Sequence, residues 1–219
     1  MHLTDKISTI RHYLAEKKIS AILIPRADEY LGEYVPEHNE RLAWISGFTG
    51  SAGMLIITMD KALLFVDGRY TIQVQQQCSA DLFEFEHLID NPPLRWLSDH
   101  LSAGDAVGFD SRLHNYQFYE HAHEQLAVKS IQLIELTENP IDLNWADRPY
   151  ADIEVARLLE EKFTGENSLD KRKRIGQKIG QLGADARDRS AHLCRHHRRR
   201  RSYCLRAAVC ARSRCARYR

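Results

Sequence analysis

The sequence is short of several things, and each shortage narrows what it can be. It has no run of about 18 apolar residues, so no transmembrane helix is expected. Met1 to Ser20 mixes acids with bases and has no continuous apolar core, unlike a secretory leader. Cys78 is the only cysteine in residues 1–186, which excludes a disulfide framework there and suits a reducing cytoplasm. Residues 1–150 contain no H-E-x-x-H and no paired cysteines for zinc. The Gly-Lys-Ser/Thr phosphate loop, the G-x-G-x-x-G fingerprint and the G-x-S-x-G elbow are missing too.

Acids are scarce in one part of the chain and bases are outnumbered in the other. The 219 residues carry a formal net charge of +1, and that balance is misleading. Residues 187–219 hold 12 Arg, no Lys and a single acid, Asp188, for a net +11. Residues 1–186 hold 19 bases against 29 acids, a net −10. Cys194, Cys204, Cys210 and Cys215 all fall in the basic segment. Two compositions meet near residue 186.

What is present in the first part is an alternation of helix and strand. Leu3, Ile7, Ile10 and Leu14 predict an amphipathic helix of about four turns. Ser20–Ile24, ended by Pro25, predicts a buried strand. Gly53–Thr58 and Ala62–Val66 predict a hairpin across Met59-Asp60-Lys61. Arg69–Gln77 fits a helix or a strand. Leu82–Glu86 alternates as a half-exposed strand would. A helix is expected over Pro92–Leu101, with strands at Ala106–Phe109 and Ile131–Leu136 and a helix at Asn115–Leu126 between them. The expected class is α/β, a mixed central sheet flanked by helices.

Two loops stand out. Arg26–Gly53 is too long for a routine connection, and Gly47, Gly50 and Gly53 lie among Ser46, Thr49, Ser51 and Ala52. It reads either as an anion-binding or pocket-shaping loop or as a tight connection packed under its neighbours, the second being preferred. Asp67-Gly68-Arg69-Tyr70 follows a strand, and Arg69 reads as the ion-pair partner of Asp67 rather than as a ligand fork. His2, His12, His38, His87, His100, His114, His121 and His123 read as solvated or helix-packed. The acids read as a scattered soluble surface, and no residue is assigned a catalytic, cofactor-binding or metal-binding role.

ADEYLGEYVPEHNERLAWISGFTGSAG, the strand pair and DGRYTIQVQQQ resemble the N-terminal domain of Xaa-Pro aminopeptidases, members of the creatinase/prolidase-like metallopeptidases. Trp145-Ala146-Asp147-Arg148-Pro149 resembles the W-x-x-R-P that closes that domain. Phe163 to Ser168 with Lys171-Arg172 resembles the opening of the second. The resemblance covers about residues 1–186. It implies domains at 1–150 (a creatinase N-terminal-like unit), 151–186 (the start of a second, similar unit) and 187–219 (a disordered basic tail). It further implies a parent enzyme that releases an N-terminal residue preceding proline. In such an enzyme two divalent metals, usually manganese, are held by two Asp, one His and two Glu of a pita-bread catalytic domain. That domain is expected to lie beyond residue 219, so the chain is expected to be inactive alone and to bind no metal itself. Its expected partners are its own catalytic domain, faced by the loops around Glu33-Tyr34 and Gly47–Gly53, and a second subunit. Proline-containing peptides are expected only through the catalytic domain, and no membrane is expected.

Arg187–Arg219 departs from that pattern within about one residue. Arginine without lysine, joined by alanine and cysteine, is what GC-rich DNA encodes out of frame, so a frameshift near Arg187 is expected, and the unpaired Ile175, Ile179 and Leu182 are expected to be exposed. His192, Cys194, His196, His197, Cys204, Cys210 and Cys215 have no standard zinc spacing. The alternative reading is a stand-alone peptide- or protein-binding module whose basic tail, with its run His196–Arg201, binds nucleic acid; nucleic acid is the less favoured partner.

Overall fold

The computed structural model describes residues 2–151 and 159–182. They fall into two units; residues 187–219, with the zinc, nucleic-acid and frameshift readings, lie outside the described residues.

The first unit is built from α1 (Leu3–Lys17), β1 (Ala21–Pro25), α2 (Arg41–Ser46), β2 (Gly53–Thr58), β3 (Ala62–Val66), α3 (Thr71–Gln77), β4 (Glu84–His87), α4 (Pro93–His100), β5 (Ala106–Phe109), α5 (Tyr116–Ala127), β6 (Gln132–Glu135) and α6 (Pro140–Asn144). The strands form one mixed sheet in the order β4-β3-β2-β1-β5-β6. β1–β2 and β2–β3 pair antiparallel, while β3–β4, β1–β5 and β5–β6 pair parallel.

The core follows from strand periodicity. Successive side chains of β1 point to opposite faces. Ile22 and Ile24 join Ile7, Ile10, Leu14, Leu42, Ile45 and Phe48 beneath α1 and α2. Ala21 and Leu23 join Leu94, Trp96, Leu97, Ala122 and Leu126 beneath α4 and α5. A strand covered on both faces has to be apolar throughout, which is why AILIP reads as one unbroken run.

Element type follows the sequence closely, and the differences have local causes. β1 runs one residue further than expected, because Pro25 pairs opposite Met54 without having to donate a hydrogen bond. The β2–β3 hairpin closes as expected, with the Lys61 amide donating to Thr58 Oγ1 at 2.9 Å. The ambiguous segment after Arg69 is helix α3, whose Val74 is buried. β4 begins two residues later than expected and does not alternate between buried and exposed. The largest correction is to Arg26–Gly53, which holds a 3-10 turn (Glu37–Asn39) and α2 rather than irregular chain. The six residues of α2, RLAWIS, give too little periodicity to be seen in sequence. α6 was hidden for the same reason, and Asn139 caps it by accepting from the Ile141 amide at 2.9 Å.

The second unit contains α7 (Glu161–Thr164) and α8 (Ser168–Gln181). Asn167 caps α8, accepting from the Asp170 amide at 2.9 Å. Ile175 and Leu182 are exposed, as expected, whereas Ile179 is half-buried.

A candidate functional site at the carboxyl ends of the central strands

In open α/β sheets the edge beyond the carboxyl ends of parallel strands is the usual place for function. β1 ends at Pro25 and β5 at Phe109, side by side. The long loop leaves the first end and Asp110 follows the second.

Four arginines and four acids converge there. Arg41 is the centre, with 1 % of its side chain exposed. Its Nε donates to Asp142 Oδ1 at 2.7 Å, and its Nη2 donates to Asp142 Oδ2 at 3.0 Å and to Glu29 Oε1 at 2.8 Å. Arg148 Nη1 lies 3.1 Å from Asp142 Oδ1. The same arginine donates to the His38 carbonyl at 2.6 Å and to Asn39 Oδ1 at 3.0 Å. Arg112 pairs with Asp110 at 2.7 Å, and Asn139 Nδ2 donates to that carboxylate at 3.0 Å. Arg26 Nη2 donates to Glu40 Oε1 at 3.0 Å, and its Nη1 donates to the Glu33 carbonyl. Arg41 Nη1 and Arg26 Nε are buried without a hydrogen-bond partner.

Burial and pairing pull the charges in opposite directions. Burial opposes the charge on Arg41, but Asp142 and Glu29 outweigh it and hold the guanidinium more firmly protonated than usual. Burial also raises the Asp110 carboxyl, yet hydrogen bonds from Arg112 and Asn139 win and keep it below the ordinary range. For Glu40 burial wins over Arg26, and its carboxyl sits higher than usual. The scattered-surface reading of the acids is therefore corrected for these four. Sequence spacing could not have shown it, because Arg41 and Asp142 are 101 positions apart.

An aromatic contact backs the cluster. Trp44 stacks on Trp145 with centroids 5.7 Å apart, and Lys6 Nζ lies 4.3 Å from the Trp44 ring. The Trp145-to-Pro149 motif thus fastens onto the long loop through both its Trp and its Arg. Against this frame the Asp28–Tyr34 bend projects outward. The Tyr30 amide donates to Asp28 Oδ1 at 3.0 Å, and Tyr30 and Tyr34 are 86 % and 89 % exposed. Leu31, at φ +54°, is also exposed.

The other residues singled out in sequence are not part of this cluster. Gly50 and Gly53 pack against Phe48. A Cβ on Gly50 would stand 2.3 Å from Phe48 Cζ, and one on Gly53 would stand 3.0 Å from Phe48 Cε1. Gly47, at φ +82°, ends α2. Ser51 Oγ meets Tyr70 OH at 2.7 Å, and the Thr49 amide donates to Gln77 Oε1 at 3.0 Å. The tight-connection reading of this loop fits these contacts. Asp67 Oδ2 pairs with Arg69 Nη2 at 2.6 Å, the structural ion pair expected. His100 stacks on Trp96 at 4.2 Å and His114 on Phe118 at 4.2 Å. Burial lowers the His114 pKa to about 4, with Asp110 opposing.

No group of three or more His, Cys, Asp or Glu able to hold a metal ion occurs among the described residues. The acids that do converge are engaged with arginines, so this donor set does not fit a dinuclear centre. No helix among the described residues is long and apolar enough to cross a membrane.

Fold and cluster together define a helix-covered mixed-sheet domain whose long loop and final motif are clasped by ion pairs. Residues 6–141 match the family described as Creatinase/Prolidase N-terminal domain. The chain belongs to that family. It is 34% identical over 172 residues to Xaa-Pro aminopeptidase 2 of Homo sapiens, covering 78% of this chain and 26% of the relative. It is 32% identical over 182 residues to Aminopeptidase P1 of Lotus japonicus, covering 82% of this chain and 28% of the relative. A crystal structure of X-prolyl aminopeptidase from Caenorhabditis elegans, described as a cytosolic enzyme with a di-nuclear active site, superposes with a TM-score of 0.74 at 26% identity. That superposition covers 84% of this chain and 32% of the other. The chain thus spans less than a third of the length of these relatives.

Proposed function

We propose that this chain is the N-terminal, non-catalytic portion of an Xaa-Pro aminopeptidase. In the whole enzyme a metal-dependent centre, usually of manganese, releases an N-terminal residue that precedes proline. Residues 1–150 form the first domain and 151–186 open a second. Residues 187–219 are read as out of frame, which the nucleotide sequence tests directly. The observation that carries the proposal is the collinear similarity to two Xaa-Pro aminopeptidases over only 26% and 28% of their lengths. The state of the local acids agrees with it: Asp110, Asp142, Glu29 and Glu40 are each paired with arginine.

The work of the domain in this reading is positioning. The clasp holds the Tyr30–Tyr34 bend in one pose, and the bend faces the catalytic portion of the same enzyme. A second subunit is the further partner. The compartment is the cytoplasm, in keeping with the cytosolic description of the nematode enzyme. No residue of this chain is assigned to catalysis or to metal.

The test is direct. Purified chain, manganese and an Xaa-Pro peptide are expected to give no hydrolysis above a metal-only blank. Turnover above it, or a stoichiometric dinuclear centre on this polypeptide, overturns the proposal.

A further inference from the structure

A cleft of about 590 Å³ opens at the end of the sheet opposite the clasp, where β1 and β5 begin and the β2–β3 hairpin turns. That volume is on the order of twenty waters. Its walls come wholly from residues 14–105. The chain leaves the first unit at the other end of the sheet, where Arg148 is fastened to His38 and Asn39. The opening is therefore not the junction to the residues that follow.

The floor is apolar and the rim carries polar atoms without partners. Leu14, Ile19 and Trp96, each at most 5 % exposed, close the floor. The His100 ring lies on Trp96 with 9° between the planes, and its Nδ1 is 2.8 Å from the Trp96 carbonyl. A carbonyl only accepts, so Nδ1 carries the proton. Nε2 is left as an acceptor with no partner among the described residues. Asp60 Oδ1 accepts from Thr58 Oγ1 at 2.7 Å, while its Oδ2 has no partner among the described residues. Asp105 is engaged at both oxygens, by Ser20 Oγ at 2.6 Å and by the Ser102 amide at 2.7 Å. Lys18 completes the rim and makes no ion pair among the described residues. It ends α1 at φ +55°, in the left-handed region where glycine is the usual residue. A lysine there accepts backbone strain that glycine would avoid, and it sets an ammonium at the mouth of the cleft.

The charges select the ligand. Hydrogen bonds from Thr58 and Ser20 hold the Asp60 and Asp105 carboxyls below their ordinary range, so both are ionised at neutral pH. An anion alone would face these two carboxylates. A cation alone would face Lys18 and Lys61. A molecule carrying one charge of each sign meets both, with its carboxylate at Lys18 and its N–H groups at Asp60 Oδ2 and His100 Nε2. The apolar floor then takes a side chain. We propose that this cleft binds a small zwitterion with an apolar side chain, either a free amino acid or a di- or tripeptide.

The experiment uses the full chain labelled at tryptophan, whose three indole signals come from Trp44, Trp96 and Trp145. Trp96→Phe assigns the signal that belongs to the cleft. Alanyl-phenylalanine is expected to shift the Trp96 signal saturably and leave the other two unmoved, with Kd on the order of 1 mM. Its N-acetyl and carboxamide forms, which each lack one charge, are expected to bind about tenfold more weakly. Free phenylalanine is the second probe, and the tighter of the two identifies the source. Lys18→Gly is expected to melt no lower than the parent, since glycine relieves the positive φ, yet to bind about tenfold more weakly. That pairing separates a lost contact from a lost fold. Absence of a saturable Trp96 shift by either probe up to about 20 mM overturns the proposal. So does equal binding by the blocked forms, or by Lys18→Gly. Binding is read without turnover, so the outcome is independent of whether the chain hydrolyses any peptide.

Discussion

Replacing Arg41 by Ala should be among the most damaging single changes in the first unit. The substitution removes three charge-assisted donations, at 2.7, 3.0 and 2.8 Å, from a side chain that is 1 % exposed. Removing one partner of a buried ion pair costs about 3–5 kcal/mol. Two features reduce that figure. The Asp142 and Glu29 side chains are 21 % and 29 % exposed, and Asp142 keeps Arg148 at 3.1 Å. About 2–4 kcal/mol remains. For a domain of this size 1 kcal/mol shifts Tm by roughly 2–4 °C, so a fall of about 4–16 °C is expected. Thermal unfolding followed by tryptophan fluorescence suits the question, because Trp44 and Trp145 stack beside the cluster. Arg41→Lys keeps the charge but loses the fork, and should fall between parent and Ala. The Arg41→Met/Asp142→Leu pair should lose less than the two single changes summed, because each single change strands the other's charge, although Glu29, Arg112 and Arg148 each still lose one partner. A shift below about 2 °C for Arg41→Ala, or a double variant no better than the sum of the singles, would refute the clasp.

Three further outcomes can be checked. Gly50→Ala sets a Cβ 2.3 Å from the fully buried Phe48 ring and should cost about 1–3 kcal/mol in a urea melt, whereas the same change at Gly176 should not destabilise. His114, with a pKa of about 4 against an ordinary 6.5, stays neutral when folded but charges when unfolded. The unfolded chain therefore binds more protons between those values, so this contribution is complete above about pH 6.5 and is lost as pH falls toward 4. It amounts to at most about 3 kcal/mol, and His114→Phe should remove that part of the pH dependence of stability. Burial pushes the Cys78 thiol up to about 11, so peptide mapping after alkylation at pH 8 should find it unmodified in the native chain and modified in urea.

Local rules carried much of this fold into view. The hairpin at Met59-Asp60-Lys61 was readable because both strands are short, apolar and bounded by turn residues. α1 was readable because Ile7, Ile10 and Leu14, all buried, repeat at the helical period. α2 and α6 were not, since six and five residues span less than two turns and leave no period to count. The ion cluster was less legible still. Each of its acids looks like ordinary surface in the chain, and only the meeting of the β1 and β5 ends brings Arg41, Asp110 and Asp142 together. Arg148 lay inside a noticed motif, yet nothing in the motif says that its guanidinium grips the His38 carbonyl.

The clasp also orders events during synthesis. The ribosome delivers Arg41 long before Asp142 and Arg148, which are 101 and 107 residues further on. At roughly 5–20 residues per second, several seconds pass in which the emerging polypeptide holds a guanidinium destined for the interior without Asp142, the acid that takes two of its three donations. The bend at Tyr30–Tyr34 therefore cannot settle until the closing Trp-to-Pro motif has left the exit tunnel. Slowing translation just before codon 140 should prolong the window in which a protease can nick that bend.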